Sequence, residues 1–421
     1  MYNSGYWPHK NISSPLRFIL CFISKNFFMD QITTFDVLIV YSERLAISAN
    51  SVSEDVTAPF AKGSSNESYN LVYGYFLKTC RKNNLNVAFT TSADIVGAGK
   101  CQSYWLFRKN VWIKVQKVGF SKLIFDKFSP TSKSRKIKRN LLFSSKRIRP
   151  FNDPYLFDLC FDKQKTYKML NNFSIPTVTI EDSTRRGVIK AQKLLKEKIA
   201  KHKNRSDFSE EVIMKDRFGA GGLNVYKFGN DQTEMMTASV KKHKSVSFII
   251  QPFVKFDKGF SIQNSFRSTD TRLIYLGQKI VQTYIRIAKK GDFRCNEHAG
   301  GLLKYISKSE VPLGMTAISK SIANTLNKKS SLFALDFIMS NDGNIYLLEA
   351  NTGPGLDWNL SIKENEIEAK KLIRIIIREI TRRIISAKNT SEKKVVVATV
   401  NTPMISDYQI TPNILATIQT T

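Results

Sequence analysis

The chain has 421 residues, 42% hydrophobic and 11% aromatic, with a formal net charge of +30. That length suffices for two or three domains with sizeable cores, and the apolar share excludes a disordered chain despite the charge. The 65 Lys and Arg are scattered along it, denser at 133–139, 146–149 and 193–205, with no RNP-like, zinc-finger or helix-turn-helix signature among them. A solvated basic surface or an anionic substrate is therefore favoured over dedicated nucleic-acid binding, which stays open as the alternative. Cys21, Cys80, Cys101, Cys160 and Cys295 are odd in number, widely spaced and without a CxxC. They indicate neither a disulfide framework nor a zinc site, and they fit a reducing cytoplasm.

Residues 1–28 read as an N-terminal extension. Phe18–Ile23 follows Arg17 like a short signal segment, but Ser24-Lys25-Asn26 interrupts it and no small-residue cleavage site follows. The run is also far too short to span a bilayer. Met29 is an alternative start, since patterned sequence begins just after it.

Residues 29–152 read as a small α/β domain. The apolar run Phe35–Tyr41 predicts a strand and 51–66 a polar loop. Tyr69–Lys82 has helical spacing through Leu71, Tyr75, Phe76 and Leu77, and Asn86–Thr91 predicts a second strand. Tyr104–Phe107 and Val111–Val115 flank Arg108-Lys109-Asn110 as a hairpin, Lys122–Phe125 is a further strand, and the basic stretch Ser129–Pro150 reads as a surface loop or linker.

A new pattern starts at Pro154 and runs to about residue 388. Leu156–Asn171 predicts one helix carrying Asp162-Lys163, and Pro176–Thr179 a short strand. Thr184–His202 is a basic amphipathic helix with Val188, Leu194, Leu195 and Ile199 as its buried stripe. From Val212 strands alternate with turns until a helix at Ile367–Ala387, with Ile373, Ile376, Ile377, Ile380 and Ile384 at helical spacing. The rest, 389–421, reads as a flexible tail in which Val395–Val400 has the composition of an edge strand.

Within this part, Val212–Lys215, Gly219-Ala220-Gly221-Gly222 and Leu223–Tyr226 form a strand, glycine loop and strand. Glycines let backbone N–H groups approach phosphate oxygens, and a lysine ending the first strand neutralises their charge. The loop is neither a Walker A sequence nor a GxGxxG, and by itself it reads more readily as an ordinary turn. The apolar strand Phe248–Val254 ends where main chain can read an adenine edge; Pro252 has no N–H, so a donor must come from a neighbour such as Val254. Gly291–Gly301 adds a cation, an amide and a glycine pair.

The segment Phe333–Leu356 is the most telling. One apolar run delivers Asp336, Asn341-Asp342-Gly343-Asn344 reverses the chain, and a second run delivers Glu349 and Asn351 before Gly353-Pro354-Gly355 stops it. Period-two alternation puts Glu349 and Asn351 on one face, and the hairpin brings Asp336 alongside. Oxygen ligands without His or Cys suit Mg²⁺ or Mn²⁺. The competing reading is a solvent-facing hairpin with incidental acids; the apolar stretch before Glu349 favours a metal or cationic partner.

In this order the motifs resemble the ATP-grasp superfamily, most closely its RimK-type ribosomal-protein glutamate ligases and glutathione synthetases. The resemblance covers about 153–387, and rests on Asp270-Thr271-Arg272 (the family's DxR), Arg286, Gly291–Asn296 and the Asp336, Glu349, Asn351 set. It implies an α+β, ATP-grasp fold of two subdomains clasping ATP, with a lid subdomain at about 173–255 and a small α/β domain before it. It further implies nucleotide contacts at Lys163, Lys215, Gly221, Gly222, Gln251, Pro252, Phe253, Val254, Asp270, Arg294 and Asn296. Arg286 and Arg294 would be catalytic cations, and Asp336, Glu349 and Asn351 would hold Mg²⁺ or Mn²⁺. The implied reaction phosphorylates a carboxylate with ATP and lets an amine attack the acyl phosphate. Its partners are an acid and an amine, with an amino acid, a peptide or a protein terminus among them. Two departures stand out: Ala299 replaces a basic residue that relatives commonly carry after the His of that segment, and the span from Gln251 to Asp270 is long.

Overall fold

The computed structural model describes residues 32–128, 132–219, 221–229, 231–260, 267–328, 330–356 and 360–400, with backbone alone at 298 and 390–400. The expected N-terminal extension, its Phe18–Ile23 segment and Met29 lie outside the described residues.

The first α/β domain is built on the strand Val37–Tyr41, whose five residues are all buried. A strand covered on both faces reads as a continuous apolar run, and this one pairs in parallel with Val87–Thr91 and Leu123–Lys127. The predicted hairpin, Tyr104–Arg108 and Val111–Val115, joins the same sheet antiparallel. Its loop residues Lys109 and Asn110 both have positive φ, 50° and 62°, as a two-residue turn matching strand twist requires.

The expected linker at 129–150 is different. Lys133–Leu142 is a helix, capped by the Ser132 side chain, with Leu142 buried beneath it. Its cations are spent on the domain: Lys138 donates to the carbonyls of Ala93 and Ile95, and Arg139 pairs with Asp126 while lying 4.1 Å from the Phe157 ring centre. Long basic side chains bury their stems while keeping charge in reach of oxygen, so a run that reads as solvated loop folds as a half-buried helix.

The stretch expected as the lid holds a four-stranded sheet, called the lid sheet below, of order Val178–Thr179, Phe248–Val254, Phe208–Asp216, Val225–Phe228, backed by the helices Arg185–Ala200 and Thr233–Lys242. It encloses its own core around Val188, Leu195, Met214, Met236 and Ile250. Leu194, expected in the buried stripe, is 41% exposed. The C-terminal sheet has the order Leu302–Tyr305, Lys279–Ile287, Thr269–Leu276, Leu332–Met339, Ile345–Asn351, all antiparallel, with Leu313–Leu326 packed on it. The two helices Thr233–Lys242 and Leu313–Leu326 interrupt the stretch expected to alternate strand and turn. Both are rich in Thr, Ser and Ala, which blurs their period.

The last helix is Lys363–Val400, so it runs through the start of the expected flexible tail and through Val395–Val400, expected as an edge strand. No Gly or Pro stops it before Pro403. Residues 401–421 are outside the described residues. Ile373, Ile376, Ile377 and Ile380 of this helix share one core cluster with Val37 and Phe76 of the first domain and Leu332 of the C-terminal sheet. That shared core fixes the first domain against the hairpin that carries the acids.

The hairpin tip is gripped by the lid. Asp207, just before the strand Phe208–Asp216, accepts from Ser340 Oγ at 3.0 Å and from the Tyr346 hydroxyl, all three buried. Asn341 N–H donates to the Lys255 carbonyl, and its side chain accepts from Lys258 N–H, both at 2.8 Å.

Candidate functional site

The expected helix Leu156–Asn171 breaks at Asp162 into Pro154–Phe161 and Lys163–Met169. Asp162 has extended backbone (φ −106°, ψ 102°), and its side chain caps the second helix by accepting from the N–H groups of Gln164 and Lys165. Both oxygens of the same carboxylate also receive the Arg217 guanidinium at 2.7 and 2.6 Å. That bidentate pair ties the helix carrying Lys163 to the glycine hairpin, and Lys163 Nζ reaches the Gly219 carbonyl and lies 3.3 Å from Glu349. The Asp162 cap before Lys163 and Arg217 just ahead of the glycines are the sequence signals for this pair.

Lys215 ends the buried part of the strand Phe208–Asp216 and is 7% exposed. Burial, reinforced by the charge of Lys163, pushes its ammonium down to about 8. It has no ion pair among the described residues. Above it the hairpin turns through Gly221 and Gly222, with φ of 69° and 75°, and a Cβ on Gly222 would lie 3.1 Å from Asn296 Oδ1. The glycine turn and the Asn296 loop therefore meet closely.

Neighbouring strands of the lid sheet and the C-terminal sheet complete one cavity. It is lined by Lys163, Lys215, Gly221, Gly222, Gln251, Pro252, Phe253, Val254, Asp270, Arg294, Asn296 and Glu349, among others. Every residue expected to touch the nucleotide is thus brought to one place. Gln251 turns its amide to Thr177 Oγ1 at 2.7 Å, leaving strand main chain and Phe253 toward the cavity. Phe253 and Phe293 meet edge to face at 5.8 Å, with Lys227 Nζ 4.6 Å from the Phe253 ring centre. Arg294 is paired with Asp292 at 2.8 Å.

The remaining expected residues sit in a different chemistry. Cross-strand register aligns Tyr284, Arg272, Asp336 and Glu349 in one row of the C-terminal sheet, on a common face. Arg272 holds both oxygens of Asp336 at 2.6 Å, and Arg286 bridges Asp270 at 2.8 and 2.9 Å and Asp336 at 2.9 Å. Burial works to raise the Asp336 carboxyl, but the two guanidinium groups outweigh it and hold it below the usual range. Burial and the Asp336 charge push Asp270 up against the pull of Arg286. Arg272 and Tyr284, 3.1 Å apart, complete this cluster, and neither is among the residues the motifs assign to a ligand.

The three expected metal ligands do not converge. Asp336 directly faces Glu349 across the hairpin, as the turn predicted, but it is 1% exposed, engaged by two arginines and absent from the cavity lining. A register shift after Asp336 leaves Leu348 as an extra residue on its strand. Asn351 accepts from Gly353 N–H at 2.7 Å and lines a second cavity, not the first. Arg286 likewise stands behind Asp270, outside the first cavity's lining. Of the three expected metal ligands, Glu349 alone lines the first cavity.

A family model described as a RimK-like ATP-grasp domain matches residues 161–376, just over half of the chain. A Pasteurella multocida protein named as a probable alpha-L-glutamate ligase is 30% identical over 146 residues, which is 35% of this chain and 42% of that one. A Legionella pneumophila (strain Corby) protein of the same name is 29% identical over 146 residues, 43% of its length. The match thus spans less than half of these relatives. Among solved structures, D-cycloserine synthetase DcsG superposes with a TM-score of 0.52 at 13% identity, covering 83% of this chain and 99% of that one. That likeness concerns the fold, which is the α+β, ATP-grasp architecture implied by the motifs. Taken with the cavity that gathers Lys215, the glycine turn and Asn296, the match over 161–376 places this chain in the RimK-like ATP-grasp domain family.

Proposed function

We propose that the protein is an ATP-dependent carboxylate–amine ligase. A carboxylate oxygen takes the γ-phosphoryl group of ATP and ADP leaves; an amine nitrogen then attacks the acyl carbon, gives up a proton and releases phosphate. The observation that carries this reading is Lys215, a buried ammonium without an ion pair among the described residues, facing a glycine turn. A buried cation is costly unless an anion meets it, and a phosphate chain supplies one while the turn's N–H groups supply further donors.

On this reading Lys215 and Lys163 bind phosphate with Gly221, Gly222 and Asn296. The main chain at Pro252–Val254 takes the base edge, beside Phe253 and Phe293. Arg294, close to the phosphates, offsets charge as it develops, a form of stabilisation that fixed cations supply well. Arg286, expected as the second catalytic cation, lies outside the cavity's lining, and on this reading it acts by holding Asp270 in place. When bound, Mg²⁺ or Mn²⁺ would neutralise phosphate oxygens; Glu349 is assigned to it, with Asn351 and Asp336 as nearest oxygen donors in sequence and register. No helix of the described residues is long and apolar enough to cross a membrane. A reducing cytoplasm is proposed as its place from four buried, unbridged cysteines.

The test is ADP release from Mg²⁺-ATP over a panel of amino acids and dipeptides, with Glu349→Gln beside the wild type. Turnover that depends on the acid and vanishes in the variant supports the reading. Undiminished turnover in Glu349→Gln overturns the metal assignment, and no ADP with any acid and amine pair overturns the ligase.

A further inference from the structure

Two of the dense basic groups in the sequence end differently. Lys138 and Arg139 of 133–139 are spent on main-chain carbonyls and on Asp126. Lys146, Arg147 and Arg149 of 146–149 stay exposed, with no ion pair among the described residues. Arg149 opens onto a cavity of about 820 Å³ between the first domain and the last helix, lined also by Lys122, Arg382, Arg383 and Lys388. Lys122 and Lys388 are exposed and likewise have no ion pair among the described residues. Arg382 and Arg383 share one acid, Glu379, and the one acid among the described lining residues is Asp36, which accepts from Asn86 N–H at 2.8 Å. Five cations thus stand against two carboxylates, an excess of three. They also press on one another: burial, and after it the charges of Arg382 and Arg149, pull the Arg383 guanidinium down against the opposing pull of Glu379. The floor is apolar, formed by Phe35, Leu123 and Ile384.

We propose that this cavity binds a small, multiply phosphorylated molecule, with Lys122, Arg149 and Lys388 on its phosphates and its body against the apolar floor. The volume is that of a small-molecule site. A single carboxylate would answer one of the three excess charges, whereas two or more phosphates answer them all, and the Arg149 fork suits the paired oxygens of a phosphate. A nucleic-acid strand carries the same groups, but it favours a long groove over one cavity. The site is remote from the acid-bearing hairpin. Lys122 precedes the strand Leu123–Lys127, whose far end meets Pro354 five residues on, roughly 16 Å away. No described residue lines both this cavity and the one assigned to the nucleotide, so the proposal stands whether or not the chain is a ligase. Because Lys122 and Arg149 belong to the first domain and Lys388 to the last helix, an occupant ties the two together.

The test is calorimetric titration of the full chain with inositol hexakisphosphate, a polyphosphate probe without a base. The wild type is compared with Lys122→Gln/Arg149→Gln and with Lys388→Gln on the other wall. Two controls accompany them: Lys215→Met in the nucleotide cavity, and Lys193→Gln/Lys196→Gln, which removes the same charge from the exposed side of the helix Arg185–Ala200. One-to-one binding is expected, weakened at least tenfold in the first variant, less in Lys388→Gln, and within about twofold of wild type in both controls. The probe should also raise the thermal unfolding midpoint of the wild type and not that of Lys122→Gln/Arg149→Gln. Absence of binding, undiminished binding in that variant, an equal loss in either control, or tighter binding of a single-stranded oligonucleotide overturns the proposal.

Discussion

The lid sheet and the C-terminal sheet each bury charge, and they do so in opposite ways. In the lid, Lys215 is buried without an ion pair among the described residues, and its ammonium is held well down in consequence. In the C-terminal sheet, Arg272, Arg286, Asp270 and Asp336 are buried together and satisfy one another. A residue left wanting a partner marks where a ligand goes; a residue already answered marks what holds the frame. Both groups belong to the same set of sequence motifs, so motif membership alone does not separate them.

Three substitutions break or sharpen this contrast. Asp336→Ala leaves the buried Arg272 without a carboxylate and Arg286 with Asp270 alone, and losing one member of a buried ionic cluster costs about 3–5 kcal/mol. Urea unfolding measures it, and a loss below about 1 kcal/mol would show that the cluster does not hold the frame. Lys215→Met acts the other way: stability is kept or gained, while binding of ADP weakens about tenfold or more, since a charge-assisted contact is lost. Its pH signature has a definite sign. The folded ammonium, at about 8, lies below its ordinary 10.5, so between these values the unfolded chain holds a proton that the folded one has shed. Stability from this group therefore rises with pH across that window and falls back as pH drops through 8. Affinity for ADP runs oppositely, declining above pH 8 by up to about tenfold per unit, and Lys215→Arg removes that decline because its charge persists.

The smallest effect is expected for Gly222→Ala. A residue at φ of 75° that also meets Asn296 Oδ1 at 3.1 Å is strained by about 1–2 kcal/mol. The loss should appear in ADP affinity at least as strongly as in the unfolding midpoint, because the turn lies at the cavity; a loss confined to unfolding would separate the turn from the ligand.

Much of this arrangement is legible in the sequence. The Phe333–Leu356 hairpin, its turn and the pairing of Asp336 with Glu349 follow from alternation and a glycine turn, which are local signals. The strand Val37–Tyr41 was likewise within reach of pattern, whereas the gathering of Lys215 with Gln251–Val254 followed from the family resemblance. The arginine cluster was not legible, because it depends on which strand lies beside which. Arg272 meets Asp336 across 64 residues of chain, and nothing in either neighbourhood announces the other. The helix Lys133–Leu142 was hidden for a different reason. Its composition says solvent, and only the carbonyls of Ala93 and Ile95 and the Asp126 carboxylate, all from other segments, give its cations a place on the protein.

The acid-bearing hairpin is fastened to the lid side at both ends, with unequal strength. At the tip, Asp207 is enclosed with Ser340 and Tyr346, and releasing it would leave a buried carboxylate unsatisfied. At the root, the connection runs through the partly buried pair of Lys163 and Glu349, 3.3 Å apart, with Lys163 also on the Gly219 carbonyl. The tip is thus the firmer fastening between this hairpin and the neighbouring sheet, and the root the weaker one.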